Sequence, residues 1–189
     1  MVQIMNQPTI QDTHDPLFQK ALQFVLHWEG GFVDDPDDLG GRTNKGITQR
    51  VYDVYRAKKG VPPQDVKNIS DDETSDIYFE EYWLAAKCNH INPELGMALF
   101  DTAVNLGDKH ALLFMQEATG CHSADGVYGP QTQAAWDSCS VMASATQFCM
   151  LREKHYRALA NKPGQEKFLK GWLSRLNALR VAIGVQILS

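Results

Sequence analysis

No stretch of the sequence approaches the ~18 consecutive apolar residues that span a bilayer. Membrane insertion is therefore not expected. Positive charge is also short. Against 23 Asp and Glu there are 18 Lys and Arg, a net charge of -5 over 189 residues. A nucleic-acid-binding surface is basic overall, so nucleic acid is not an expected partner. Cysteine is scarce, with Cys88, Cys121, Cys139 and Cys149 as the whole set. Free, buried thiols are the default for such a chain. Cys88 with His90 and Cys121 with His122 offer four zinc-ligand side chains, but their spacing matches no zinc finger or knuckle. No metal and no cofactor is expected. Residues 1–15 are polar and lack a basic start followed by an apolar core. The expectation is synthesis in the cytoplasm without a Sec signal peptide. Internal repeats and low-complexity tracts are absent as well.

What is present is ordinary globular material: 43% hydrophobic and 22% charged residues exclude a disordered chain. Helical signals dominate. Asp15-Pro16 is a cap followed by proline at the first helical position, opening a helix that runs to His27 or Trp28 and stops at Gly30-Gly31. Residues 32–47 break the period and leave room for a short hairpin at most. A helix starts near Thr48. Ser70 with Glu73 forms a capping box for a helix through Ile77, Tyr78, Tyr82 and Trp83. Further helices are expected over 93–106, 109–119, from 130 through Trp136, 143–159 and 166–181. The class is mainly α.

Trp28-Glu29-Gly30-Gly31-Phe32 is the most informative segment. Glu29 stands where a helix ends. The negative end of the helix dipole and the apolar neighbours both disfavour an ionised carboxylate. A carboxyl group that keeps its proton is what a general acid needs to protonate a glycosidic oxygen. The two glycines allow a sharp turn and an open groove beside it. Asp38, Thr43, Asn44 and Thr48 follow on the same loop and offer a second carboxylate, hydroxyls and an amide. The competing reading is a helix end in solvent with aspartates capping turns. A calcium loop fails on register: with Asp35 first, position five is Leu39 and position twelve is Gly46.

The string Glu29-Gly30-Gly31-Phe32, then Asp34-Asp35-Pro36, then Gly40-Gly41-Arg42-Thr43-Asn44-Lys45-Gly46-Ile47-Thr48-Gln49 resembles the signature of glycoside hydrolase family 108. These are lysozyme-like N-acetylmuramidases of phage lysis cassettes and bacterial secretion loci. The resemblance continues at Tyr82-Trp83 and at Phe100-Asp101-Thr102-Ala103-Val104-Asn105-Leu106-Gly107. It extends to Asp125-Gly126-Val127-Tyr128-Gly129-Pro130-Gln131-Thr132, similar to the D-G-x-x-G-P-x-T core of a peptidoglycan-binding module. It spans about residues 17 to 175.

The resemblance implies a lysozyme-like helical fold in two packed lobes. A polar tail (1–15) would precede a catalytic lobe (16–103) and a peptidoglycan-binding lobe (104–189). Glu29 takes the place of the family's catalytic glutamate. Phage-type lysozymes space their residues as E-x8-D-x5-T. Asp38 fits, but the next step lands on Asn44, with Thr43 one residue early. Asp38 is read as the second carboxylate and Thr48 as the hydroxyl, with Thr43 and Asn44 as alternatives or substrate contacts. Tyr82 or Trp83 could stack on sugar rings, although for Tyr78 and Trp83 together core packing is the preferred reading. Asn105 either reaches the cleft or caps its helix. Asp125 either caps a turn or touches the wall polymer.

The implied activity is hydrolysis of the β-1,4 bond between N-acetylmuramic acid and N-acetylglucosamine. The partners would be peptidoglycan glycan strands, reached through a holin or another export route by a monomer. A lytic transglycosylase, or a catalytically weak wall-binding protein, is the alternative. Residues 150–189 sharpen the partner question. They hold eight Lys and Arg and two acids, a net of +6, which subtracted from -5 leaves -11 for residues 1–149. The basic stripe suits a polyanionic envelope; it equally suits a solvated helix face.

Overall fold

The computed structural model describes residues 13–34 and 41–186. Asp38 and the other residues of the 35–40 turn, with the first twelve residues and the last three, lie outside that set. Among the described residues, eight α-helices and one two-stranded hairpin are joined by short 3-10 helices and one π-type turn. The class is mainly α, as expected. The chain divides into two compact units, Met1–Glu81 and Tyr82–Ser189.

In the first unit, α1 (Pro16–Trp28) starts where Asp15 accepts the Leu17 N–H and Pro16 fills a position that needs no donor. Its inward stripe is Phe18, Ala21, Leu22 and Val25. A side chain such as Phe18, Leu22 or Val25 stabilises the fold by about 1.5–3 kcal/mol when fully buried. The hairpin follows, with β1 (Thr43–Asn44) antiparallel to β2 (Ile47–Thr48) and Asn44 opposite Ile47. Only Lys45 and Gly46 lie between the strands. Both have positive φ, 49° and 75°, the hand of turn that matches the strand twist in a two-residue hairpin. Val33 pairs with Thr43 and lengthens one edge. Next come α2 (Gln49–Lys59), capped by Thr48, and α3 (Asp71–Tyr78), whose capping box joins Ser70 and Glu73. Beyond Tyr78 the helix widens into a π-type turn over Phe79–Leu84.

The second unit is built on α4 (Pro93–Leu106), α5 (Asp108–Ala118), α6 (Pro130–Ser138), α7 (Val141–Ala160) and α8 (Leu169–Ala182). Helix α4 packs against α5 and α7, and α7 against α8. Nine consecutive residues of α4, Leu95 to Ala103, are buried. A helix apolar all round belongs in an interior. One of those residues is Asp101.

Two short turns of 3-10 helix, Val66–Asn68 and Cys88–His90, escape the periodicity because three residues show no period. The cysteines split evenly. Cys88 and Cys149 are buried, while Cys121 and Cys139 are half-buried, so the expectation of buried thiols holds for two of the four.

Candidate active site

Glu29 ends α1 in extended conformation (φ -83°, ψ 142°), with its N–H still bonded to the Val25 carbonyl at 3.2 Å. The helix thus delivers the carboxyl group at its last turn and then stops. The side chain leans on the hairpin turn. The space that a Gly46 β-carbon would fill lies 3.0 Å from Glu29 Oε2, 3.2 Å from Glu29 Cγ and 2.5 Å from the Tyr78 hydroxyl. Gly46 is required twice, for its left-handed backbone and for this close approach.

The hairpin is tied down from several sides. Asn44 Nδ2 donates to the carbonyls of Val66 (3.2 Å) and Lys67 (3.1 Å). Tyr78 donates its hydroxyl hydrogen to the Lys45 carbonyl at 2.8 Å. The Lys45 ammonium pairs with Asp71, and this pairing holds the Asp71 carboxyl below its usual range. Arg42 lies between Asp34 (3.2 Å) and Asp65 (2.7 Å). The Thr43 hydroxyl donates to the Gly41 carbonyl. Thr48 Oγ1 accepts the Val51 N–H at 3.3 Å as the cap of α2, which leaves its hydrogen for another acceptor. Glu29, Thr43, Asn44 and Thr48 therefore share one unit, with the last three on one hairpin. Asn44 is spent on anchoring it.

Tyr82, Trp83, Asn105 and Asp125 belong to the second unit. Trp83 is 5% exposed and meets Phe100 edge-on, the core-packing arrangement. Tyr82 is half-buried. Asn105 does not cap its helix, because Gly107 does. Its Oδ1 accepts the Tyr156 hydroxyl instead, which leaves the Asn105 amide hydrogens to face other acceptors.

Behind Asn105 lies a network that the sequence did not disclose. Asp101 and Arg152, both fully buried, form an ion pair. Arg175 reaches the other Asp101 oxygen at 2.8 Å. Arg152 also donates to Thr102 and to Tyr156. This corrects the reading of the basic stripe: Arg152 and Arg175 are interior, and Arg157 and Arg180 bind Glu153. Those two arginines hold the Glu153 carboxyl below its usual range.

Asp125 does cap a turn. It accepts the Val127 N–H (2.9 Å), the main reason its carboxyl sits below its usual range, and the Gln116 amide (3.2 Å). Gln116, 1% exposed, organises this loop. Its Oε1 accepts the N–H groups of Asp125 and Gly126, and its Nε2 donates to the Val127 carbonyl and Thr132. Gly126 has φ 75° and passes 2.9 Å from the Lys109 carbonyl at its missing β-carbon. The signal for Gln116 is a polar side chain at an inward position of an amphipathic helix, between Leu112 and Met115 on one side and Thr119 on the other.

A separate groove of about 720 Å³ in the first unit is lined by α1, α3 and Lys59, including Gln19, Gln23, Asp72 and Ser75. Glu29 does not line it. A polar-lined hollow alone defines no chemistry, so the catalytic reading rests on the hairpin.

The family model Glycosyl hydrolase 108 matches residues 22–107, and the model Predicted Peptidoglycan domain matches residues 110–177. Among solved structures, Brucella abortus SagA superimposes with a TM-score of 0.71 at 30% sequence identity, covering 88% of this chain and 92% of that one. None of the curated proteins matches. The fold and these matches define a glycoside hydrolase with a lysozyme-like helical architecture. The chain belongs to the glycosyl hydrolase 108 family, and with its second domain it is a peptidoglycan hydrolase.

Proposed function

We propose that the enzyme is an N-acetylmuramidase that cleaves the β-1,4 bond between N-acetylmuramic acid and N-acetylglucosamine, with Glu29 as general acid. The observation that carries this reading is the Glu29 carboxylate seated against the Lys45-Gly46 turn at the end of α1. In the step, the Glu29 carboxyl proton passes to the glycosidic oxygen. The C1–O bond breaks, its electron pair stays with the leaving oxygen, and positive charge develops on the sugar ring. Water then adds at C1 and releases a proton to a carboxylate. Asp38 is proposed as that second carboxylate and Thr48 as a supporting hydroxyl. The second unit, through the Asp125 loop and the half-buried Tyr82 and Asn105, contributes contacts to the polymer. Because the substrate lies beyond the membrane, the enzyme acts after leaving the cytoplasm.

Glu29→Gln tests the assignment. The variant should fold, bind purified sacculi and release no new reducing ends. Clearing of peptidoglycan at the parent rate would sink the role of Glu29. Mass spectrometry of the parent's products should show hydrolysed muramic ends. 1,6-Anhydro ends would instead make it a lytic transglycosylase, and no cleavage at all would make it a wall-binding protein.

A further inference from the structure

We propose that Tyr78 is a positioning residue for Glu29, acting through the backbone of the Lys45-Gly46 turn; this rests on Glu29 being the general acid. Tyr78 is 1% exposed at the last position of α3. The periodicity accounts for its ring, which is core. It does not account for its hydroxyl, since phenylalanine would fill the same space without a polar atom to satisfy. The hydroxyl donates to the Lys45 carbonyl across 33 residues of sequence. Its oxygen also occupies one side of the gap at Gly46, where Glu29 Oε2 occupies another.

The turn thus meets both Tyr78 and the acid at one residue, Gly46. Its two residues are in left-handed conformation, which for Lys45 is a strained choice, so the turn needs outside restraint. Helix α3 supplies two restraints, the Tyr78 hydroxyl on the Lys45 carbonyl and Asp71 on the Lys45 ammonium. The first is half-buried and aims at the backbone, while the second ends on an exposed carboxylate. The bond to the backbone is the one that fixes where Gly46, and with it the Glu29 carboxylate, stands. A general acid must meet its oxygen within hydrogen-bond reach, and a misplacement of about 1 Å costs on the order of 100-fold in rate.

Tyr78→Phe tests this. On soluble glycan strands, kcat should fall about 10- to 100-fold, with KM within about twofold of the parent, as for a defect confined to the chemical step. A second readout separates positioning from packing. A glycan fragment with a dinitrophenyl leaving group needs little protonation. On it the Tyr78→Phe deficit should shrink to a few-fold, as should that of Glu29→Gln. Equal deficits on both substrates, or a kcat within twofold of the parent, overturn the proposal. Should Tyr78→Phe fail to fold, Gly46→Ala takes its place, because its added methyl presses on the same two groups. The same leaving-group comparison then decides. A fully active Glu29→Gln would instead overturn the parent reading, so the two failures are distinguishable.

Discussion

Asp101 carries a full charge at zero exposure, held between Arg152 and Arg175. Burying three charges is costly, and an apolar trio of similar volume often serves stability as well. Removing one member is a different matter, since it strands the others. Asp101→Asn leaves two interior guanidinium groups without a counter-charge. The expected loss is about 3–5 kcal/mol, read as a lowered urea midpoint. Arg175→Met should cost less, because Asp101 keeps Arg152. A midpoint unchanged in Asp101→Asn would show that the pair is not desolvated. The network also bears on Asn105. Its Oδ1 accepts from Tyr156, which fixes the orientation of the Asn105 amide and leaves its two N–H groups to donate. That is the half of an amide suited to the carbonyl of an N-acetyl group.

At the scale of elements, the Asp125–Thr132 loop depends on one side chain from another helix. Gln116 makes five hydrogen bonds to it from a buried position on α5. Gln116→Ala leaves the Asp125 and Gly126 N–H groups and the Thr132 hydroxyl short of partners. Each such loss costs about 1–3 kcal/mol when the group stays buried; loop exposure relieves part of it. The expected outcome is a net loss of about 2–3 kcal/mol, with faster amide hydrogen exchange confined to residues 121–132. Exchange unchanged in that loop would refute this role. The loop was legible in the sequence as a motif, but the exposed Asp125 caps its turn while the buried Gly126 and Thr132 shape it from within. Helices α1, α4 and α6 were legible because caps and prolines mark their starts. The hairpin was only partly so, since two-residue strands carry no period. Lys45 and Tyr78 could not be linked from the sequence, because their bond joins residues 33 apart through a backbone atom. The interior arginines misled for the opposite reason. Spacing along a helix does not tell a charged face from a buried charge until its partner, Asp101 on α4, is in place.

The whole molecule should have two pH limits with different origins. On the acid side, Glu73 and Glu153 are held below their usual range. In Glu73 the opposing effect of burial is outweighed by bonds from Tyr52, Ser70 and Arg56; in Glu153 the arginines Arg180 and Arg157 are the cause. Depressed carboxyls stabilise above their unfolded values and lose that contribution as pH falls through their folded values. On the alkaline side the sign reverses. Burial pushes the Cys149 thiol from 9.0 up to about 11, and burial also pushes Cys88 and the Tyr156 hydroxyl up. These groups stay neutral in the fold while the unfolded chain ionises. For Cys149, stability is therefore whole below pH 9 and falls as pH rises from about 9 to about 11. A rise of that size corresponds to at most about 2–3 kcal/mol. In Cys149→Ala that contribution disappears. The variant should start less stable at pH 7, because a small cavity opens in the core of the second unit. Its urea midpoint should then fall less steeply than the parent's between pH 9 and pH 11. Parallel curves for the two proteins would place the alkaline limit elsewhere, in Cys88 or Tyr156. The same burial makes a kinetic counterpart. Cys121 and Cys139 should react with a thiol reagent in the native protein, whereas Cys88 and Cys149 should wait for unfolding, because a neutral, enclosed thiol is a poor nucleophile.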